Sequence, residues 1–396
     1  MLSTSIEWVS LIVRWTHLIA GICWIGSSFY FMALDASLKP NPRLDRRVKG
    51  EAWQVHGGGF YQMQKFTVAP EFMPPDLTWF KWEAYSTFIF GFLLLVLTYY
   101  LNPTLYLIDP AVLDLKPWDA VGIGIASLVF GWFAYDALCR SPLGQRPVWL
   151  ATVGFVLLIG VFFFYSRVFS GRGAFIHAGA LVGTIMVANV ALVIIPNQRK
   201  VVADLLAGRE PDPALGAAGK NRSTHNNYVT LPVIFTMISN HYAFTYSSRW
   251  NWLVLAGVFI GGFLIRHWYN VLHTGAKPDW RLWPAGAVPI ALAAALTLYL
   301  QPRASGDAAA VKFAQVQGII AERCQVCHAA QPRFPGIAEP PKGIRFDSAR
   351  LIVQQAPLIY AQAVVGRAMP LGNVTGITEA ERAALAAWVG QGAHDE

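Results

Sequence analysis

Eight long apolar segments fill residues 1–300, and they limit what this chain can fold into more than any other feature. A helix that crosses a bilayer needs about 20 mostly apolar residues, because no water is present there to pair with its backbone. The segments run over roughly 6–34, 83–101, 118–139, 146–166, 174–196, 229–246, 250–273 and 281–300. Only 14% of the residues are charged and 55% are hydrophobic, whereas a soluble domain carries about 25% charge. The fold class that follows is all-α: a polytopic transmembrane bundle of about eight helices. The sixth segment is the most polar, with Thr236, Ser239, Asn240, His241 and Thr245, which suits an interior helix lining a site.

Past the last apolar segment the sequence changes character. Residues 301–310 read as a linker and 311–396 as a small separate domain. That domain holds Cys324-Gln325-Val326-Cys327-His328, the attachment signal of a c-type haem. Two thiols would bond the vinyl groups, His328 would ligate the iron, and Met369 of Ala368-Met369-Pro370 would be the opposite ligand. The expectation is one covalent haem c in a class I-like cytochrome c domain. A zinc or thioredoxin-like reading is weaker, because Cys23 and Cys139 lie in apolar segments and no βαβ context exists. Near the C-terminus, Thr378 and Glu381 have the spacing of a helix capping box.

The charge of +8 is no nucleic-acid footprint, because the basic residues lie in loops between apolar spans. On one side are Lys39, Arg43, Arg46, Arg47, Lys49, Lys65, Lys81, Arg140, Arg146, Arg199, Lys200, Arg209, Lys220, Arg222, Lys277 and Arg281. The other side has only Lys116, Arg167, Arg172 and Arg249. The first side is therefore expected to be cytoplasmic. Both termini and the haem domain then face the periplasm of a bacterial inner membrane, the side on which c-type haem is attached. The first helix reads as retained, because no signal-type cleavage site follows it.

Ionisable residues inside apolar spans are costly and point to function. Arg14, His17, Gly21, Trp24 and Ser28 share one face of the first helix, and that face is expected to look into the bundle. His17, His177 and His241 fall in the outer half of the bundle. Two histidines on separate helices at one depth can clamp a b-type haem, so these three are its candidate ligands. Arg266, His267, Asn270 and His273 fall towards the inner end of the seventh span. In the first cytoplasmic loop, His56-Gly57-Gly58-Gly59-Phe60-Tyr61 reads as a Gly-rich turn between two strands. Trp53, Tyr61 and Phe66 offer ring faces there, and His56 and Lys65 offer proton transfer and positive charge. The bland alternative is a hairpin that only caps the bundle.

An eight-helix membrane domain followed by one C-x-x-C-H domain resembles the bacterial membrane-bound urate oxidase family, also called urate hydroxylase. The residues that carry the resemblance are Arg14 to Gly26, His56 to Tyr61, Ser239 to Tyr242, and Arg266-His267. The resemblance implies oxidation of urate, or a similar small anionic purine, to 5-hydroxyisourate. Water would supply the oxygen, and the electrons would pass through the haem c to a downstream cytochrome c or terminal oxidase. By placement on the cytoplasmic side, His56, Lys65 and Glu83 are the candidates for catalysis. Tyr61, Arg266, His267 and His273 are the candidates for substrate binding. Two other readings compete: a quinol:cytochrome c-type respiratory oxidoreductase, and a non-enzymatic membrane-anchored electron-transfer cytochrome. A haem–copper oxidase is disfavoured, because the sequence has no adjacent pair of histidines.

Overall fold

A helix of 36 residues, α1 (Leu2–Ser37), opens the chain. The structure, a computed structural model, describes residues 2–70, 73–74, 76–300 and 310–395. After α1 comes the expected hairpin. β1 (Val48–His56) and β2 (Gly59–Phe66) pair antiparallel, ending with His56 opposite Gly59. Gly57 and Gly58 have φ of 59° and 78°, the left-handed values that a tight two-residue hairpin turn requires. α2 (Trp82–Leu95) then runs back along α1 and ends in a wide π-turn, Val96–Tyr100. The two helices are in close contact, because Gly91 leaves room for the His17 ring and Gly21 packs near Thr87.

The remaining helices of the bundle follow in sequence, beginning with the single turn α3 (Pro103–Tyr106) and the long helices α4 (Pro117–Arg140) and α5 (Pro147–Val168). A proline in the first turn starts each of these three, where its missing N–H costs nothing. α6 (Gly171–Ala188) passes through a π-turn, Asn189–Ile194, into α7 (Ile195–Leu206). After these come α8 (Pro213–Ser239), α9 (Asn251–His273) and α10 (Leu282–Tyr299). Gly261 and Gly286 lie at the α9–α10 contact, each close to the other's carbonyl oxygen, the small-residue contact that lets apolar helices approach closely.

Among the described residues, seven helices are long and apolar enough to cross a membrane. They match seven of the eight expected segments. The eighth, 229–246, is corrected in two ways. Its helix starts well upstream at Pro213 and ends at Ser239, and a short 3-10 turn, Ala243–Thr245, follows. It is too polar to count as an apolar span, because much of its polar face is buried: Arg222, Asn226, Asn227, Thr230, Thr236 and Ser239. The inward face expected on α1 also needs a correction. His17, Gly21, Trp24 and Ser28 are half-buried, but Arg14 is exposed. Arg14 lies one turn towards the N-terminus from His17, and its long side chain can reach out past the packed part of the helix.

The main core gathers Phe162, Tyr165, Phe175, Leu255 and Phe259 from α5, α6 and α9, with Phe169 from the link between α5 and α6. A second core forms beyond the bundle from α11 (Phe313–Arg323), α12 (Gln325–His328), α13 (Ala349–Gln354), α14 (Ala356–Ile359) and α15 (Glu379–Gly390). Val316, Ile320, Ile352, Leu385 and Trp388 are its centre. Each such side chain contributes roughly 1.5–3 kcal/mol by leaving water. The expected capping box forms: Glu381 N–H donates to Thr378 Oγ1 at 3.2 Å, and Thr378 N–H donates to Glu381 Oε2 at 2.7 Å. The expected linker, 301–310, lies almost wholly outside the described residues.

The second core is seated on the end of the bundle. The 3-10 turn Leu371–Asn373 rests on α3, with Gly372 against the carbonyls of Thr104, Leu105 and Ile108. Gly366 packs against Ala243. α3 is fixed in turn to α6, because Ser170 N–H donates to Leu107 O at 2.8 Å and Ser170 Oγ to Tyr106 O at 2.9 Å.

Candidate functional site

The C-x-x-C-H motif folds as one helical turn at the end of α11. His328 N–H donates to Cys324 O at 2.9 Å, and Cys327 N–H to the same oxygen at 3.1 Å. Ile344 O lies 3.0 Å from His328 Nδ1. A carbonyl only accepts, so Nδ1 carries the proton and the Nε2 lone pair is left for a metal. Phe346 meets the imidazole edge to face at 5.4 Å. Met369 is held by its backbone: its N–H donates to Gln362 O, and its O accepts from Arg382 Nη1, both at 3.1 Å. Burial pushes the Cys324 thiol up to about 12 and raises that of Cys327. Among the described residues, no three His, Cys, Asp or Glu gather as metal ligands. Two thiols, an oriented imidazole and a thioether fit a c-type haem.

The hairpin residues are not drawn into one constellation. Lys65 Nζ is paired with Asp35 at 2.7 Å on the surface. His56 and Tyr61 are exposed, and Glu83 lies in the first turn of α2. Among the described residues, no hydrogen bond or ion pair joins His56, Lys65 and Glu83 to one another or to Arg266. The hairpin is tied to α1, because Tyr30 Oη donates to Gln54 Oε1 at 2.8 Å.

The three outer histidines have separate surroundings. His177 is fully buried, and both ring nitrogens are used. Its Nδ1 donates to Gly173 O at 2.9 Å, so its Nε2 accepts from the Tyr100 hydroxyl at 3.1 Å. Phe169 lies 4.7 Å away, and Gly124 is so near that a Cβ there would sit 2.8 Å from Nε2. This packed ring does not fit an axial ligand of a membrane haem. His17 Nδ1 donates to Thr87 O at 2.8 Å, and His241 is exposed in the turn after α8.

Polar chemistry instead gathers inside the bundle, between α4, α8 and the π-turn after α6. Arg222 Nη2 pairs with Asp136 Oδ1 at 2.6 Å, and Arg140 Nε reaches Asp136 Oδ2 at 2.7 Å. Arg222 Nη1 also donates to Asn189 Oδ1 at 3.2 Å, and Asn189 Nδ2 donates to Asn226 Oδ1 at 2.9 Å. Tyr135 Oη lies 2.7 Å from His225 Nδ1 in the same network.

A second cluster joins α1, α8 and α9. Arg266 Nε and Asn270 Nδ2 both donate to Asn227 Oδ1 at 2.9 Å. The Arg266 guanidinium lies 3.7 Å over the Phe29 ring. Arg266 Nη2 and Asn227 Nδ2 are buried without a hydrogen-bond partner. Each such orphan donor costs about 1–3 kcal/mol, and more when charged. Of the expected substrate residues, Arg266 is thus the one in a polar cluster. His267 Nδ1 meets the Tyr228 hydroxyl at 2.7 Å instead, and His273 Nδ1 is buried and unpartnered.

Asn227, Phe29, Asp136, Arg222 and Asn189 are the residues that sequence reasoning missed. A signal existed for the α8 members. Gly219, Arg222, Asn226 and Thr230 follow helical spacing of 3, 4 and 4, a polar stripe that continues the sixth apolar segment upstream.

Residues 3–298 match the family described as urate oxidase N-terminal. The match covers the long helices and stops before the second core. No curated protein and no solved structure matches the chain.

Proposed function

The chain belongs to the urate oxidase N-terminal family, and on that premise we propose that it is a membrane-bound oxidoreductase converting urate to 5-hydroxyisourate. Urate and one water give 5-hydroxyisourate, two protons and two electrons. Cys324, Cys327, His328 and Met369 would hold a c-type haem, which would accept the two electrons one at a time. The observation that carries the electron route is the His328 ring, whose Nδ1 is engaged by Ile344 O so that Nε2 is free.

Arg266 supplies positive charge for the urate anion, and Phe29 holds its guanidinium in place. His56, Lys65 and Glu83 are retained as candidate proton carriers on the basic side. Tyr61, His267 and His273 are retained as lesser substrate contacts. No step is assigned to a membrane haem at His177, for the packing reason given above. The seven apolar helices, with α8 as an eighth crossing, leave both termini on one side. The excess of basic loops makes the other side cytoplasmic. The second core is then a periplasmic cytochrome c domain that passes electrons to a soluble cytochrome c or a terminal oxidase.

The test is an anaerobic visible spectrum of the oxidised full-length protein before and after urate, with dithionite as the control for full reduction. Appearance of the reduced c-haem band with urate supports the proposal. Reduction by dithionite but not by urate overturns it.

A further inference from the structure

We infer that Asn227 and Arg266 together form the recognition point for the anionic edge of the substrate, inside the bundle between α1, α8 and α9. This deepens the urate reading and rests on it. Asn227 is fully buried and Arg266 is only 4% exposed. The two donors at 2.9 Å on Asn227 Oδ1, Arg266 Nε and Asn270 Nδ2, fix which way its amide points. Its Nδ2 is thereby turned away from both and has no acceptor. Arg266 Nη2 is the second buried donor without an acceptor. Two unpartnered N–H groups held by one hydrogen-bonded pair of side chains suit a ligand that brings acceptors.

Charge points the same way. Arg222, also buried in the bundle, has its counter-ion in Asp136 at 2.6 Å. Among the described residues, Arg266 has no carboxylate within ion-pairing distance. A buried cation without an anion is the strongly unfavourable half of a salt bridge. Phe29 covers one face of the guanidinium with its ring, which leaves the edge bearing Nη2 for an acceptor. The ligand class is therefore a planar anion with adjacent acceptor atoms, such as the deprotonated N–C–O edge of an oxopurine. A small cavity of about 10 Å³ lies one residue along from Phe29 and Asn227, between Trp24 and Ser28 of α1 and Asn226 and Thr230 of α8. It has room for about one water molecule. A purine is larger than that space, so its binding requires the helices around Arg266 to part.

Equilibrium dialysis with labelled urate on the oxidised, detergent-solubilised full-length protein tests the inference, using Asn227→Asp and Arg266→Lys. Asn227→Asp gives Arg266 an internal counter-ion and replaces a donor by a repelling carboxylate. It is expected to lower urate affinity at least about tenfold while the dithionite-reduced spectrum stays that of the wild type. Arg266→Lys keeps the charge but loses the second donor, and its expected loss is smaller. If Asn227→Asp does not accumulate, Arg266→Lys decides alone. Both variants binding urate within about twofold of the wild type, with the wild type still reduced by urate, overturns the inference and leaves the function standing. A wild type that neither binds urate nor is reduced by it removes the function, and the inference falls with it.

Discussion

Gly372 lies so close to Thr104 that a side chain at 372 would overlap the Thr104 carbonyl oxygen, with Leu105 O and Ile108 O at 3.0 and 3.1 Å from the same point. Its φ of 56° is also one that side chains other than glycine rarely adopt. Gly372→Val is therefore expected to lift the second core off α3. Hydrogen exchange at the amides of Leu105 to Ile108 should speed up at least about tenfold, as for a local opening. Gly318→Ala, in α11 with open space beside it, should leave those amides unchanged. Equal exchange in the two variants would show that the contact does not hold the seat.

The Asp136–Arg222 pair is nearly closed to solvent, with side-chain exposures of 15% and 8%. Asp136→Asn strands the guanidinium, and a loss of about 3–5 kcal/mol is expected. Unfolding midpoints in detergent read this. Arg222→Met added to Asp136→Asn should recover most of the loss. A double variant no better than the single would mean that Asp136 acts through something other than Arg222.

At the α1–α2 contact, a Cβ on Gly91 would sit 2.7 Å from His17 Cε1. Gly91→Leu must push the imidazole off the Thr87 carbonyl, at a cost of about 1–3 kcal/mol. Gly26→Leu, where α1 has open space, is the matched control. Indistinguishable unfolding midpoints would refute the close packing.

Burial works against the charged form of Glu381. The Thr378 amide, the Arg323 guanidinium and the Thr378 hydroxyl outweigh it, so the carboxyl titrates below its ordinary 4.5. A depressed carboxylate adds stability that is present at neutral pH and is lost as pH falls through the folded pKa. Calorimetry of the full-length protein should show the transition of the second core falling as pH drops below about 4.5. Glu381→Gln keeps the cap but not the charge. It should melt lower at neutral pH and vary less over the acid range. An unchanged pH slope would mean that other carboxylates set the acid limit.

Hydropathy made seven helices legible because each presents apolar residues on almost every side. It misplaced α8 because a window average cannot separate an exposed loop from a polar helix whose neighbours bury it. Asn226, Asn227 and Arg222 were therefore read as loop, and the partners they make with Asn189, Asp136 and Arg266 were invisible from the sequence. The hairpin was legible from Gly57-Gly58 and its flanking alternation, and the capping box from Thr378 and Glu381. The C-x-x-C-H motif was legible because its ligands are contiguous. The seat of Gly372 on α3 was not, because it joins residues far apart in the chain. The exposure of Arg14 was missed for a related reason: helical spacing gives a shared face, but not how far along the helix the packing extends.

The wide turn at Asn189–Ile194 contains one residue more than a regular turn would. Above it, α6 turns His177 towards Tyr100. Below it, in α7, Asn197 Nδ2 donates to Leu215 O at 3.3 Å. In an uninterrupted helix the angle between those two faces would be dictated by the residue count alone. The added residue removes that constraint. Deleting it would rotate one half against the other by about 100°, so a single codon separates a helix that satisfies both sets of partners from one that can satisfy only one.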